Sequence, residues 1–433
     1  MSRLLSLLAL YRVLAQGFGL FAGLFLRWRL ARGKEEPGRY AEKTGWPGKA
    51  RPVGRLAWLH GASVGEALAL LPLAGRLTCR GFAVLLTTGT VSSARIMHER
   101  LGAGALHQYA PLDVPRFVAR FLDHWRPDIV LLAESEIWPN ILCEVHRRNI
   151  PVVLVNARIS ARSYRRWQRL PATITALLGR IDLCLAQTQE DGTRLLRLGA
   201  PRVQVSGNLK YDVPAPPVDS AALARLVADI GARPVWLAVS THPGEENLIG
   251  DVHLALLGRF PALLTLIVPR HSDRGPEVAN DLMRKGLNVQ LRSLVQGIGP
   301  DINVYVADTM GETGLFYRLT TIVFVGKSLA AGPGGGGGQN PIEPAKLGAA
   351  ILHGPLVDNF AQVYASLDAA RGGAIVTDAT TLAQALQVML CETGRLREMA
   401  RAAQEAVAGL GGATDRIMAA IEPYLLQITL DQR

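Results

Sequence analysis

The feature that most constrains the fold is an alternation of short, wholly apolar runs with longer amphipathic stretches. In the first half the runs are RLAWLH at 55–60, FAVLLTT at 82–88, DIVLLAE at 128–134, IPVVLVNA at 150–157 and LCLAQT at 183–188. Runs of this length, apolar on both faces, suit strands covered by helices on either side, which is the condition of a parallel sheet. Each is followed by a stretch of helical period, so the order is βαβ and the expected sheet is doubly wound. NLKYDVPAPPVDS at 208–220 breaks the pattern, because its prolines suit neither helix nor strand. The alternation then restarts with PVWLAVS (234–240), LLTLIVPR (263–270), INVYVAD (302–308), TIVFVGK (321–327) and AAILHG (349–354). One core rarely serves 433 residues, so two facing Rossmann-like domains with a cleft between them are expected, at 35–212 and 213–433. The last helical stretch, IMAAIEPYLLQ, is left free to pack back onto the first domain.

Ahead of both series, Leu4 to Leu26 reads LLSLLALYRVLAQGFGLFAGLFL, and RWRLARGK follows at once. The run is long enough to cross a bilayer. A secretory signal carries its positive charge before the apolar run, whereas here the basic cluster comes after it, so residues 1–34 are expected to be a membrane anchor. The positive-inside rule puts Arg27, Arg29, Arg32 and Lys34 in the cytoplasm, and the bulk of the chain with them. Arg12, near the middle of the run, leaves open a helix lying in the interface instead of crossing.

The formal charge of +11 points to anionic partners: nucleic acid, phospholipid head groups or phosphorylated small molecules. Basic residues are scattered and no nucleic-acid-binding signature accompanies them, so nucleic acid is the weaker choice and no nucleic-acid partner is expected. The cysteines at 79, 143, 184 and 391 form no C-x-x-C pair or ligand cluster, and read as buried thiols in a reducing compartment.

In an open parallel sheet, ligands sit at the carboxyl ends of strands. The residues there are HGASVGE (60–66), ESEIWPN (134–140), NARISARS (156–163) and GNLKYD (207–212), then STHPGEE (240–246), PRH (269–271), DTMGE (308–312) and GGGGGQNPIE (334–343). In HGASVGE the small residues allow close approach to the backbone, and a helix opening on Glu66 favours its ionised form. Such a carboxylate can accept a proton from a bound hydroxyl, or simply satisfy the helix N-terminus. Glu134 and Glu136, two residues apart, share a face if the chain stays extended there. GGGGGQNPIE has the composition of a phosphate cradle, with a helix starting near Asn340, Pro341 in its first turn and Glu343 available to ribose hydroxyls. GKS at 326–328 is not a P-loop, since Thr321 stands where that pattern needs Gly. Arg270 offers a fork for phosphate and Lys210 a point charge. His242 and His271 have no metal-ligand spacing, and no D-x-D occurs, so a metal-held nucleotide sugar is disfavoured.

Taken together, HGASVGE, ESEIWPN, NARISARS, GNLKYD, STHPGEE, VPRH, DTMGE, FVGKSL and QNPIE resemble, in order, the 3-deoxy-D-manno-octulosonic acid (Kdo) transferases of lipopolysaccharide biosynthesis. The resemblance runs from the basic N-terminal anchor to near the C-terminus. It implies a GT-B glycosyltransferase that moves Kdo from CMP-Kdo to a lipid A precursor (lipid IVA), inverting and without a metal or other cofactor, on an anionic membrane at the cytoplasmic side of the inner membrane. By the same resemblance Glu66 is the general base, and Glu136 and Lys210 stabilise the transition state. CMP contacts carry over to Pro269, Arg270, Met310, Gly311, Glu312, Asn340, Pro341, Ile342 and Glu343. The chain departs from the family pattern at Gln339, usually His, at Lys327, often Gly, and in its longer glycine run. Rival readings are a GT-B transferase using another nucleotide sugar and lipid acceptor, and a membrane-tethered nucleotide-binding regulator without catalysis.

Overall fold

The computed structural model of the chain describes residues 2–329 and 336–431. It divides into two compact units, Met1–Val213 with Gly411–Arg433, and Pro214–Leu410.

The first unit holds a parallel sheet of β1 (Leu56–His60), β2 (Ala83–Thr88), β3 (Ala105–Tyr109), β4 (Ile129–Ala133), β5 (Val152–Ala157), β6 (Leu183–Ala186) and β7 (Val203–Val205), ordered β3-β2-β1-β4-β5-β6-β7. Trp58 lies in register with Leu85 on one side and Val130 on the other. β1, β4, β5 and β6 are buried along their whole length, as strands under two helical layers must be. Each fully buried Leu, Ile or Val contributes about 1.5–3 kcal/mol. β3 and β7, at the edges, are missing from the apolar runs because each is only partly buried.

The terminal helix Ala413–Asp431 completes this unit by placing Ile417, Ile421 and Leu425 in its core. Arg80 pairs with Glu422 at 2.7 Å, and the Asp212 carboxylate accepts the Gly412 N–H at 2.7 Å.

The apolar helix Ser2–Ala31 is also part of this unit. One narrow stripe faces inward: Gly19, Ala22 and Leu26 are buried, and Ala22 packs on Val114 and Phe117. Gly19 is needed there, since a Cβ at that position would lie 2.8 Å from Val114 Cγ1. Arg12 is not left in an apolar medium but pairs at 2.8 Å with the buried Glu144. The other face is apolar and exposed, with Leu14 63%, Leu20 71% and Leu24 67% accessible.

The second unit repeats the plan with β8 (Val235–Thr241), β9 (Leu264–Pro269), β10 (Val289–Leu291), β11 (Val304–Val306), β12 (Ile322–Val325), β13 (Ala350–His353) and β14 (Gly373–Ile375), all parallel, in the order β10-β11-β9-β8-β12-β13-β14. The strand order reverses between β1 and β4 in the first sheet and between β8 and β12 in the second, where β10 and β11 are also exchanged, and the carboxyl ends beside such a central reversal are where this class of sheet binds ligands.

The four cysteines are unpaired, but only Cys184 is buried; Cys79 and Cys391 are exposed, each closing a helix beyond the stripe that meets the core. That corrects the expectation of buried thiols.

Candidate active site

In the first unit, β1 ends on His60 and the chain turns through Gly61 and Ala62 into a helix, Val64–Cys79, capped by Ser63. The helix thus begins two residues before Glu66, not on it. A Cβ on Gly61 would stand 3.0 Å from the Glu66 Cβ, so glycine is what lets the turn close over this side chain. One Glu66 carboxylate oxygen accepts the Ala62 N–H at 2.8 Å and the other the Ser63 hydroxyl at 2.7 Å. These bonds fold the charge back over the positive end of the helix. Each oxygen keeps a further lone pair for an incoming hydroxyl.

β4 ends one residue before Glu134, whose backbone is left-handed (φ 53°). The chain is therefore not extended from Glu134 to Glu136, and the expected shared face is not formed. Glu134 instead accepts Lys210 Nζ at 2.7 Å, an ion pair that helps to offset a backbone conformation costing about 1–3 kcal/mol. Lys210 lies on the turn Leu209–Tyr211, which is fixed from β5 by Asn156: its side-chain oxygen accepts the Leu209 N–H at 2.9 Å. The Lys210 chain passes the first turn of the Glu66 helix, 4.0 Å from where a Gly65 Cβ would be. Glu136 turns the other way. Its carboxylate accepts His60 Nε2 at 3.3 Å and the Trp138 indole N–H. Burial works against its charged form, but the His60 and Trp138 hydrogen bonds outweigh that and hold the carboxyl below the ordinary range. Glu66 and Glu136 thus follow the carboxyl ends of β1 and β4, beside the strand-order reversal, and Lys210 is tied to the same end of the sheet through Glu134.

In the second unit the strand ends carry both carboxylates and cations, two of the cations without a partner among the described residues. β9 closes on Pro269, and Arg270 follows, exposed, its N–H donated to Thr241 O at 3.0 Å. Among the described residues the Arg270 guanidinium and Lys327 Nζ have no hydrogen-bond or ion-pair partner. The His242 and His271 rings are 6.2 Å apart, centre to centre. Burial, then Lys327, His271, Arg270 and Arg274, hold His242 down to about 4. Its neutral Nε2 accepts the Gln339 amide at 3.1 Å, so the residue that departs from the family pattern serves this cluster.

Glu245, 0% exposed, ties the loops after β8 and β12 together. It accepts the N–H groups of His242, Lys327, Ser328 and Leu329 at 2.8–3.2 Å. Burial raises its carboxyl despite those four donors. No side chain fits at Gly326, where a Cβ would be 2.7 Å from Ser240 O.

The remaining expected donor-site residues are placed less simply. Met310 is exposed and Gly311 left-handed (φ 85°). The Glu312 carboxylate is taken in a fork by the buried Arg292, at 2.7 and 3.2 Å, and also accepts from Thr309. Arg292 first, against burial, keeps Glu312 below the ordinary range. The helix expected from Asn340 starts at Ile342 and ends at Lys346, with Pro341 as its cap. Asn340 Oδ1 itself accepts the Ile342 N–H at 3.0 Å, and its amide reaches Glu343 at 3.4 Å. The glycine run is described only in part. Gly334 and Gly335 fall outside the described residues, and the Gly337 and Gly338 amides are used by Leu356 O and Lys327 O. Five helical residues carry too small a dipole, and amides already bonded to carbonyls have nothing to give an anion. The side chains here with charge to offer an anion are those of the cation cluster, Arg270 and Lys327.

Among the described residues no group of three or more His, Cys, Asp or Glu side chains converges as metal ligands would. Glu134, Asn156, Glu245 and Arg292 shape these two strand-end sites without having been singled out for those roles. Their motifs were visible at strand ends, except for Arg292, which carried no signal.

A family model described as 3-deoxy-D-manno-octulosonic-acid transferase (kdotransferase) matches residues 38–213. The chain is 34% identical over 408 residues, 92% of its length and 91% of the relative's, to a probable mitochondrial 3-deoxy-D-manno-octulosonic acid transferase of Arabidopsis thaliana. It is 37% identical over 384 residues, 86% and 88% of the two chains, to the 3-deoxy-D-manno-octulosonic acid transferase of Bordetella pertussis. Among solved structures, UDP-GlcNAc 2-epimerase from Neisseria meningitidis bound to UDP-GlcNAc matches with a TM-score of 0.56 at 16% identity, over 86% of this chain and 100% of that one. That likeness shows the fold, a GT-B pair of Rossmann-like units. With two relatives above 30% identity matched over most of both lengths, the chain belongs to the 3-deoxy-D-manno-octulosonic acid transferase family and is a glycosyltransferase.

Proposed function

We propose that this protein transfers Kdo from CMP-Kdo to the sugar of a lipid A precursor in lipopolysaccharide biosynthesis, with inversion and without a metal ion. The observation that carries the reading is the Glu66 carboxylate, held by Ala62 N–H and the Ser63 hydroxyl at the end of β1. An acceptor hydroxyl is a poor nucleophile until its proton has somewhere to go. Glu66 takes that proton as the new C–O bond forms at the anomeric carbon, while the bond to phosphate breaks and its electron pair leaves with CMP. Lys210 and Glu136 stabilise charge that develops on the reacting sugar and acceptor. Arg270 and Lys327, without partners among the described residues, balance the departing phosphate, which is the part a metal plays elsewhere. Pro269 sets Arg270 at the strand end, and Met310 and Gly311 offer backbone to the nucleotide. Asn340, Pro341, Ile342 and Glu343 contribute as a bonded turn and not as a helix dipole.

The apolar helix supports work at the inner membrane, on its cytoplasmic side. Residues Leu7–Ala31 have mean hydropathy 1.5, yet Arg12 is paired with Glu144 and one stripe is packed on the first unit. That packing favours a helix lying in the interface, its exposed face in the lipid and Arg27 and Arg32 at anionic head groups. The test of function is incubation of the purified protein with CMP-Kdo and lipid IVA, followed by mass spectrometry of the lipid. A mass increase of one or more Kdo residues is expected. An unchanged lipid, or transfer only from a UDP-sugar, would overturn the reading.

A further inference from the structure

The helix Pro139–Arg147 begins directly after the Glu136–Trp138 segment and has no cap of its own: Trp138 makes no side-chain capping bond, and Pro139 has no N–H. Its first free amides are claimed by a residue far back in the chain. The Asp113 carboxylate, buried at 8% exposure, accepts the Asn140 N–H at 3.0 Å on one oxygen and the Ile141 N–H at 2.8 Å on the other. The Asn140 side-chain amide donates back to the Asp113 carbonyl at 2.6 Å. The oxygen that accepts Asn140 also accepts the hydroxyl of Tyr11, on the apolar helix, at 2.9 Å. Asp113 therefore holds both ends of a tie, with the membrane-directed helix on one side and the turn that presents Glu136 on the other.

We propose that Asp113 is a positioning residue for sugar transfer, fixing the Glu136–Trp138 segment to the apolar helix through Tyr11, Asn140 and Ile141. The proposal rests on the assignment of Glu136 to the reaction. A carboxylate suits the task because it accepts from three donors at once without needing to donate. A cap alone is worth about 0.5–2 kcal/mol of stability and would leave turnover per folded molecule untouched. A displaced Glu136 would not, because a misplacement of about 1 Å near reacting atoms costs up to roughly 10²-fold.

A double-mutant cycle on the full-length protein separates these cases, with turnover and donor KM measured for wild type, Asp113→Asn, Glu136→Gln and the pair. Asp182→Asn serves as a control, since Asp182 is also a backbone acceptor, exposed and bonded to Val152 N–H at 2.8 Å at the opposite end of the sheet. Asp113→Asn is expected to lower kcat roughly ten- to a hundredfold with donor KM within about twofold. In the Glu136→Gln background the same change is expected to cost almost nothing. Equal losses in both backgrounds, or a loss no larger than that of Asp182→Asn, would overturn the proposal while leaving Glu136 in its role. Wild-type turnover in Glu136→Gln alone would instead remove the reading on which it rests. Should Asp113→Asn not fold, Tyr11→Phe replaces it in the cycle. It removes one bond of the tie and is expected to lower kcat about two- to fivefold, again only while Glu136 is present; no loss, or the same loss without Glu136, would overturn the proposal.

Discussion

The two units are built on one plan and differ in the residues that stand at their strand-order reversals. Each is a seven-stranded parallel sheet whose strand order reverses near its centre. At the reversal in the first unit stand Glu66, Glu134 and Glu136, each held by named donors. At the reversal in the second stand Arg270, Lys327, His242 and His271, and burial first, then the neighbouring cations, hold His242 down to about 4. The lesson is that the sheet sets where chemistry happens, and the residues after the strands set its sign. A bound acid on one unit suits an acceptor that must lose a proton; spare cations on the other suit a leaving phosphate.

That division is broken most severely by Glu66→Gln, which is expected to lower transfer about 10²–10⁴-fold in a steady-state assay. Next comes Lys210→Ala. It leaves the Glu134 carboxylate without its cation and is expected to cost on the order of 10²-fold in kcat, with little change in CMP affinity by calorimetry. Arg270→Ala acts on the other unit. It should weaken CMP binding by about 1.5–3 kcal/mol, roughly ten- to a hundredfold, the value of a hydrogen bond to a charged group.

Smaller effects sharpen the contrast through pH. Glu136 is held below the ordinary range by His60 and Trp138 against its burial, so the activity that depends on its charged form persists to low pH and is lost as pH falls through its lowered value. Trp138→Phe removes one donor, and the acid limb of kcat against pH is expected to move up. His242 behaves in the reverse sense. It is held at about 4 in the folded protein, against about 6.5 when unfolded. Its neutral form contributes stability that is complete above about 6.5 and declines as pH falls from there to about 4, where the folded state takes up the proton too. Thermal melts across that window should show a shallower decline in His242→Gln than in wild type. An equal slope would remove His242 from the account.

Much of this was legible in the sequence, for a physical reason. Central strands buried on both faces cannot hide their composition, and the runs at 55–60, 128–134, 234–240 and 321–327 mark β1, β4, β8 and β12 with the residues that follow them. Edge strands were not legible: β7, β10 and β14 are three residues each and half in water, so no run of apolar residues is required of them. Site geometry was legible only where it is local, as in the Ser63 and Glu66 turn. The left-handed bend at Glu134 depends on Lys210, 76 positions later, and the cap on Asn140 comes from Asp113, 27 positions earlier. Neither bond leaves a spacing to read. In the glycine run, composition permits an anion cradle, but it could not show that Gly337 and Gly338 spend their amides on Leu356 and Lys327.

The most direct test of the division of labour is calorimetric titration of CMP into wild type, Glu66→Gln and Arg270→Ala, with turnover measured on the same preparations. Glu66→Gln is predicted to bind CMP within about twofold of wild type while losing transfer by at least about 10²-fold, and Arg270→Ala to lose CMP affinity itself. Near-wild-type turnover in Glu66→Gln, or a loss of CMP affinity there as large as in Arg270→Ala, would contradict the account.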